Sequence, residues 1–331
     1  MKIGLVGPSY TQRSLPFDAQ RTINFFPIFD EQGKEVSALY GTPGLNGFAT
    51  AGSGPVRGAF SSTNGRAFVV SGDKLYELDS SGVETIRGTL NTSMGNVTID
   101  ENSTQLFICD EDDGYILTYS TNVFATVSDG EFPSAGTVTY IDGYFVVNQN
   151  NTGRFYISSV ADGSAWDALD FATAESSPDR LLRVIRALGQ LWLLGNKTTE
   201  IWTNTGDASF PFQKIKGAEM EIGIMAPHTA VAHGNTLFWV GRDNNGQGVV
   251  YRADGYRPKR ISNEAVEIAI AAATDRENMK GFSYQQDGHD YLIITGGGLE
   301  TSWCHDITTG LWHERAFLNE QGEFEQHLAS C

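Results

Sequence analysis

The sequence predicts an all-β protein, a β-propeller-like ring of about six or seven blades with one short inserted helix near residues 263–280. Three observations carry this. Apolar runs ending in Gly, Asp or Asn turns recur along the chain. Their spacing is close to regular. The 37 glycines fit a chain dense in turns.

The clearest unit is LWLLGNKTTEIWTN at 191–204. Two aromatic and aliphatic runs flank a Gly-Asn-Lys-Thr turn, which is the composition of a β-hairpin. Five stretches resemble it: AFVVSGDKLYEL (67–78), QLFICDEDDGYILTY (105–119), YFVVNQNNTGRFYIS (144–158), LFWVGRDNNGQGVVYRA (237–253) and YLIITGGGLETSWCHD (291–306). The last apolar residues of their first strands are Val70, Ile108, Val147, Leu194, Val240 and Ile294, at intervals of 38, 39, 47, 46 and 54. Hairpins repeating every 40–50 residues mark propeller blades. The first strand of each unit is apolar at nearly every position, as expected of an inner strand covered on both faces by neighbouring blades. Stacked sandwiches, the other all-β reading, space their strands more closely.

The remaining elements follow in chain order. Residues 1–55 are punctuated by Pro8, Pro16, Pro27, Pro43 and Pro55 and read as an irregular N-terminal arm. KIGLVG lacks the third glycine of a dinucleotide fingerprint, and Pro8 sits where its helix would open. Within the arm, RTINFFP (21–27) is expected to bury as an extended strand, or to dock on a neighbouring subunit through Phe25, Phe26 and Pro27. Residues 56–331 form the propeller-like domain. NEAVEIAIAAATDRENMK (263–280) reads as a short helix broken near Thr274, with Asn263 as N-cap. It accounts for the interval of 54. The abrupt end EFEQHLASC looks like the approach to another strand, so the domain is expected to be incomplete at its C-terminus.

Composition narrows the function. Forty percent hydrophobic and 19% charged residues describe a globular chain. A net charge of −17 opposes general affinity for nucleic acid or anionic membranes, though an acidic wall lets DNA pass without sticking. Three scattered cysteines, Cys109, Cys304 and Cys331, favour a reducing compartment, so the four Asn-x-Ser/Thr sites read as turn chemistry. No segment is long and apolar enough to span a membrane.

No motif specifies catalysis. DEDDG (110–114) offers oxygen ligands but lacks the alternate spacing and distal Glu of an EF-hand, so a hairpin turn is favoured over calcium. Cys304, His305 and His313 have zinc-ligand chemistry without paired short spacings. There is no G-x-S-x-G, H-E-x-x-H or P-loop. No catalytic residue, metal or cofactor is expected. SVADGSAW (159–166) reads as a turn with Trp166 entering the core. Arg180, Arg183 and Arg186 recur every third residue among Leu181, Leu182, Val184 and Ile185. They read first as the exposed edge of a strand and second as a contact for an acidic partner or DNA.

The order of several segments resembles the packaged-DNA stabilisation proteins, or tail accessory factors, of short-tailed bacteriophages. The residues are SYTQRSLPFDAQRTINFFP, LYGTPGLNGF (39–48), GPVRGAF with VVSGDKLYEL, then SAWDALDFATAESSPDRLL, LWLLGNKTTEIWTNTGDASFPF, GAEMEIGI and YRADGYRPKRIS. The likeness covers most of the chain; family members are longer, and their C-terminal portion has no counterpart here. The resemblance implies a structural virion protein of the tail or neck, assembled in the host cytoplasm. It implies a homo-oligomer, a hexameric ring below the portal and its head-closure adaptor. Such a ring carries distal tail proteins (needle, tailspike or nozzle), helps retain packaged DNA, and lets DNA pass without sequence-specific binding. No membrane is involved and no catalytic residue is carried over. The alternative reading is a carbohydrate-active or carbohydrate-binding propeller, a glycosidase or lectin.

Overall fold

The computed structural model describes residues 7–10, 20–29, 36–174, 178–243, 246–329 and 331. The KIGLV run, residues 11–19 of the first resemblance segment and residues 175–177 of the fourth lie outside them. The chain forms six antiparallel sheets arranged as propeller blades, preceded by one hairpin. The hairpin pairs β1 (Phe25–Phe29) with β2 (Val36–Gly41). Blade 1 contains β3 (Val56–Ser61), β4 (Ala67–Ser71), β5 (Lys74–Leu78) and β6 (Glu84–Thr89). Blade 2 contains β7 (Thr98–Glu101), β8 (Gln105–Cys109), β9 (Gly114–Thr118) and β10 (Val123–Thr126). Blade 3 contains β11 (Ala135–Ile141), β12 (Tyr144–Gln149), β13 (Arg154–Ser159) and β14 (Asp162–Thr173). Blade 4 contains β15 (Leu181–Ala187), β16 (Gln190–Gly195), β17 (Thr199–Asn204) and β18 (Phe212–Met220). Blade 5 contains β19 (Val231–His233), β20 (Thr236–Arg242), β21 (Gly248–Asp254) and β22 (Arg257–Arg260). Blade 6 has five strands: β23 (Met279–Gln286), β24 (His289–Gly296), β25 (Ser302–Asp306), β26 (Leu311–Leu318) and β27 (Phe324–Gln326).

The six apolar runs singled out by the repeat fall on β4, β8, β12, β16, β20 and β24, the second strand of each blade rather than the first. The first strands β3, β7, β11, β15, β19 and β23 precede them and carry more polar residues. The apolar character of the second strands follows from their neighbours. On β8, Leu106 and Ile108 pack towards blade 1 while Phe107 and Cys109 pack towards blade 3. The period of two thus feeds both faces into apolar cores. Three inner hairpins close in the same way. Asp142-Gly143, Leu188-Gly189 and Asp287-Gly288 each place two residues at positive φ between directly paired strand ends. This is the turn whose twist matches the flanking strands.

Five apolar cores join successive blades. The core between blades 5 and 6 also takes up the inserted helix, α1 (Glu264–Ala272), through Val266 and Ile270. Asn263 caps it, accepting from Val266 N at 3.0 Å, and a 3-10 turn at Arg276–Asn278 follows the break. Trp166 is buried and donates Nε1 to Gly163 O at 2.8 Å.

Among the described residues no apolar core joins blade 6 to blade 1. The N-terminal arm bridges them instead. Ile23 pairs in parallel with Glu314 of β26, and Asn24 clasps both backbone groups of Ala316. Phe26 then packs edge-on to His289 and Tyr291 on the blade 6 face turned away from blade 5. Residues 42–45 run beside β26, and 48–54 cross the face of blade 1, where Gly52 N donates to Glu84 at 2.8 Å. The pin of this arm is Glu314, 3% exposed. Its carboxylate accepts from Arg21 (Nη2 at 2.6 Å), Ser9 Oγ (3.1 Å) and Thr301 Oγ1 (2.9 Å).

Blade 6 also buries His305 and His313. Neither ring nitrogen of His313 has a hydrogen-bond partner. Burial lowers the His305 pKa to about 4 and that of His313 to about 3, with the Arg315 guanidinium opposing charge on His313 further.

Two predictions follow from this packing. Arg21→Ala leaves the buried Glu314 carboxylate without its charge partner and should cost about 3–5 kcal/mol, the range for breaking a buried pair. Glu314→Ala should cost less, because the Arg21 left behind is half exposed and can turn to water. Urea unfolding of both variants checks the order; equal, small losses would remove Glu314 as the pin. The second concerns pH. Both imidazoles have folded pKa values below the unfolded value, so from pH 6.5 down to about 4 the unfolded chain binds protons the folded chain refuses. Stability is therefore full above pH 6.5 and falls as pH falls, by up to about 1.4 kcal/mol per pH unit for each imidazole. His313→Phe should flatten the melting temperature against pH in that window, and an unchanged slope would contradict this.

Candidate interaction surfaces and the axial cavity

Of the three arm residues expected to make contacts, Phe26 is 4% exposed and Pro27 is buried, whereas Phe25 is 46% exposed. Alternation along β1 separates the two phenylalanines, Phe26 pointing onto blade 6 and Phe25 away from it; it does not account for the burial of Pro27. Tyr40 pairs with Phe26 across the hairpin and shares its face, at the exposed margin of that contact. Leu45 and Phe48 are exposed further along the same arm, so with Phe25 the arm leaves apolar residues open to solvent.

The three arginines do not share a face. A three-residue step along a strand turns successive side chains to opposite sides. Arg180 lies before β15, exposed, with Nη1 3.3 Å from Asn151 Oδ1. Arg186 is exposed, and its backbone N donates to Thr139 Oγ1 at 3.0 Å. Arg183 turns inward. Its Nε and Nη1 are enclosed without a hydrogen-bond partner, and burial lowers its pKa to about 10, so it stays charged at neutral pH.

Arg183 lines an axial cavity of about 220 Å³ together with Arg57, Thr98, His228 and Lys280. The first strands of the blades supply most of this wall. Arg57 is fully engaged by carbonyls: Gly95 O at 3.0 Å, Gly72 O at 3.1 Å and Thr92 O at 2.8 Å. His228 Nε2 lies 3.0 Å from Glu111 Oε1. Burial lowers the His228 pKa, against the pull of that carboxylate. No local signal marks His228 or Glu314, since each acts through residues far away in the chain.

The other candidates are structural. Cys304 lies opposite His313 across β25 and β26, and His305 opposite Trp312, so the three do not converge on one point. In the DEDDG turn, Asp110 is buried and accepts from Thr92 Oγ1 at 2.5 Å and Tyr115 Oη at 2.9 Å. The described residues contain no group of three or more His, Cys, Asp or Glu placed to hold a metal, and no helix long and apolar enough to cross a membrane.

Known structures share this fold at low identity. A catalytically inactive virginiamycin B lyase from Staphylococcus aureus with quinupristin matches at TM-score 0.51 and 11% identity, over 82% of this chain and 85% of that one. The N-terminal domain of Nup159 matches at TM-score 0.50 and 9% identity, over 83% and 79%. The Cps50 (Swd1) β-propeller domain from Myceliophteria thermophila matches at TM-score 0.53 and 10% identity, over 86% and 88%. These likenesses show the propeller fold alone. No curated protein matches. The sequence model described as "Bacteriophage P22 Gp10, beta-propeller" matches residues 1–310, and with six blades following an N-terminal arm in the structure, the chain belongs to that bacteriophage family.

Proposed function

We infer that this chain is a structural protein of the phage neck or tail, which joins the portal–adaptor complex to distal tail parts and helps retain packaged DNA. The observation that carries this reading is the family match over residues 1–310. Two features of the chain support it. The net charge of −17 suits a wall beside DNA that must not adhere to it. The exposed arm residues Phe25, Leu45 and Phe48 offer apolar surface for a neighbouring subunit. In this reading Phe25 makes the intersubunit contact, while Phe26 holds the arm to its own blade. Arg180 and Arg186 are exposed and available to an acidic partner; Arg183 is not. The assembly is a closed ring, six-fold in this reading, located in the virion. The mechanism is mechanical and calls for no catalytic residue.

Electron microscopy of the purified chain with portal–adaptor complexes tests the reading. A ring seated below the adaptor is the expected result, and a chain that never binds would overturn it. Phe25→Asp should leave the melting temperature near wild type and abolish the ring. Arg180→Glu with Arg186→Glu should weaken adaptor binding by about tenfold at low salt, with the difference vanishing at high salt as screening removes the contact. A salt-independent loss would mean that the arginines act through the fold.

A further inference from the structure

We propose that the arm is a releasable strap: residues 20–29, with β2 paired to them, lift off blade 6 as one unit and open the ring between blades 6 and 1 while the other blades stay folded. What lies under the strap motivates this. Tyr291 sits on the blade 6 face that Phe26 covers, its ring 5.9 Å from Phe26, 5.9 Å from His313 and 5.3 Å from the Arg315 guanidinium. Tyr291, His313 and Arg315 are all buried. Tyr291 Oη, both ring nitrogens of His313, and Nε and Nη2 of Arg315 make no hydrogen bond. These are five of the eleven unpartnered buried side-chain polar atoms among the described residues, so the shortfall gathers at this one seat. Gln326 and His327 close the other end of the face, where Gly296 N donates to Gln326 Oε1 at 3.0 Å and His327 N to Ser302 Oγ at 3.1 Å, without reaching the five atoms.

Buried polar atoms without partners carry a cost that is returned when water reaches them. Lifting the strap gives Tyr291, His313 and Arg315 that water. It also lets the Glu314 carboxylate exchange Arg21 and Ser9 for water, as no apolar core could. What lifting loses is small. The apolar cluster at the seat has four buried residues, of which the arm supplies only Phe26, with Ile28 packed beside it. The cores between successive blades hold nine to sixteen. Along β26 the strap is held by a single bridge, Ile23 with Glu314, and by the Asn24 clasp on Ala316. Asn24, at φ +57°, turns the chain from the edge of β26 onto the blade face, in the left-handed conformation that Asn accepts. Segments with few buried apolar contacts open before the rest of a fold. The inference does not rest on the ring reading, since strap and seat belong to one chain.

Hydrogen exchange of the isolated full chain at neutral pH, resolved to single amides by mass spectrometry, tests the strap. The Glu314 and Ala316 amides report on it, because they donate to Thr22 O and Asn24 Oδ1. Both should exchange about a hundredfold faster than the paired amides of β8 and β16, which open only with the whole fold. Tyr291→Phe removes an unpartnered hydroxyl and keeps the ring, so it should slow the two reporters by about tenfold. Tyr115→Phe is the contrast. Its hydroxyl is satisfied, donating to Asp110 at 2.9 Å and accepting from Asn91 N at 2.8 Å, so the same change should speed the β8 amides and leave the reporters unchanged. Reporters that exchange only as fast as β8 and β16, or no more slowly in Tyr291→Phe than in wild type, would overturn the proposal. So would reporters slowed equally by Tyr115→Phe.

Discussion

The fold depends on one buried carboxylate. Each blade has two apolar faces, so each needs a partner on both sides. Five joints in the ring are apolar cores between sequence neighbours. The sixth is made by the arm, and Glu314 holds the arm in place. Residue 314 does this twice, since its backbone also accepts Asn24 N and donates to Thr22 O, each at 2.9 Å. A carboxylate this enclosed is tolerable only while its donors stay in place. The joint between first and last blades therefore stands on a polar contact of long sequence separation, whereas the others stand on non-directional burial.

This difference explains what could be read from the sequence. The second strand of every blade announced itself, because burial on both faces demands an uninterrupted apolar run. The first strands did not. β7 is TIDE and β19 is VAH, each too short to show an uninterrupted apolar run. The repeat was found, but its phase was one strand late. Helix α1 was legible through its Asn263 cap and alanines, which are local signals. Nothing local marks Glu314 or Arg21, which are 293 positions apart and meet only once the ring has formed. The i, i+3 spacing of Arg180, Arg183 and Arg186 suggested one stripe, yet strand geometry sends Arg183 to the interior.

The fold itself decides little about function. A virginiamycin B lyase, the N-terminal domain of Nup159 and the Cps50 propeller share it at 9–11% identity. A propeller supplies stacked faces, an axis and loops, and unrelated chemistry can be placed on any of them. In this chain the informative features lie off the shared geometry: an arm that buries Phe26 and leaves Phe25 exposed, and a polar axial wall.

In the proposed ring, the arm would tie stability to assembly. On β1, adjacent residues serve opposite purposes: Phe26 covers blade 6, and Phe25 faces outward. A subunit docking on Phe25 would press on the strand that Glu314 secures two residues upstream, through Ile23. Binding there would reinforce the polar joint, because removing the arm would then cost the intersubunit contact as well as the Arg21–Glu314 pair. By mass action, a partner that binds only the pinned arm stabilises the pinned state. The least apolar joint of the ring is thus the one that a neighbouring subunit is best placed to strengthen.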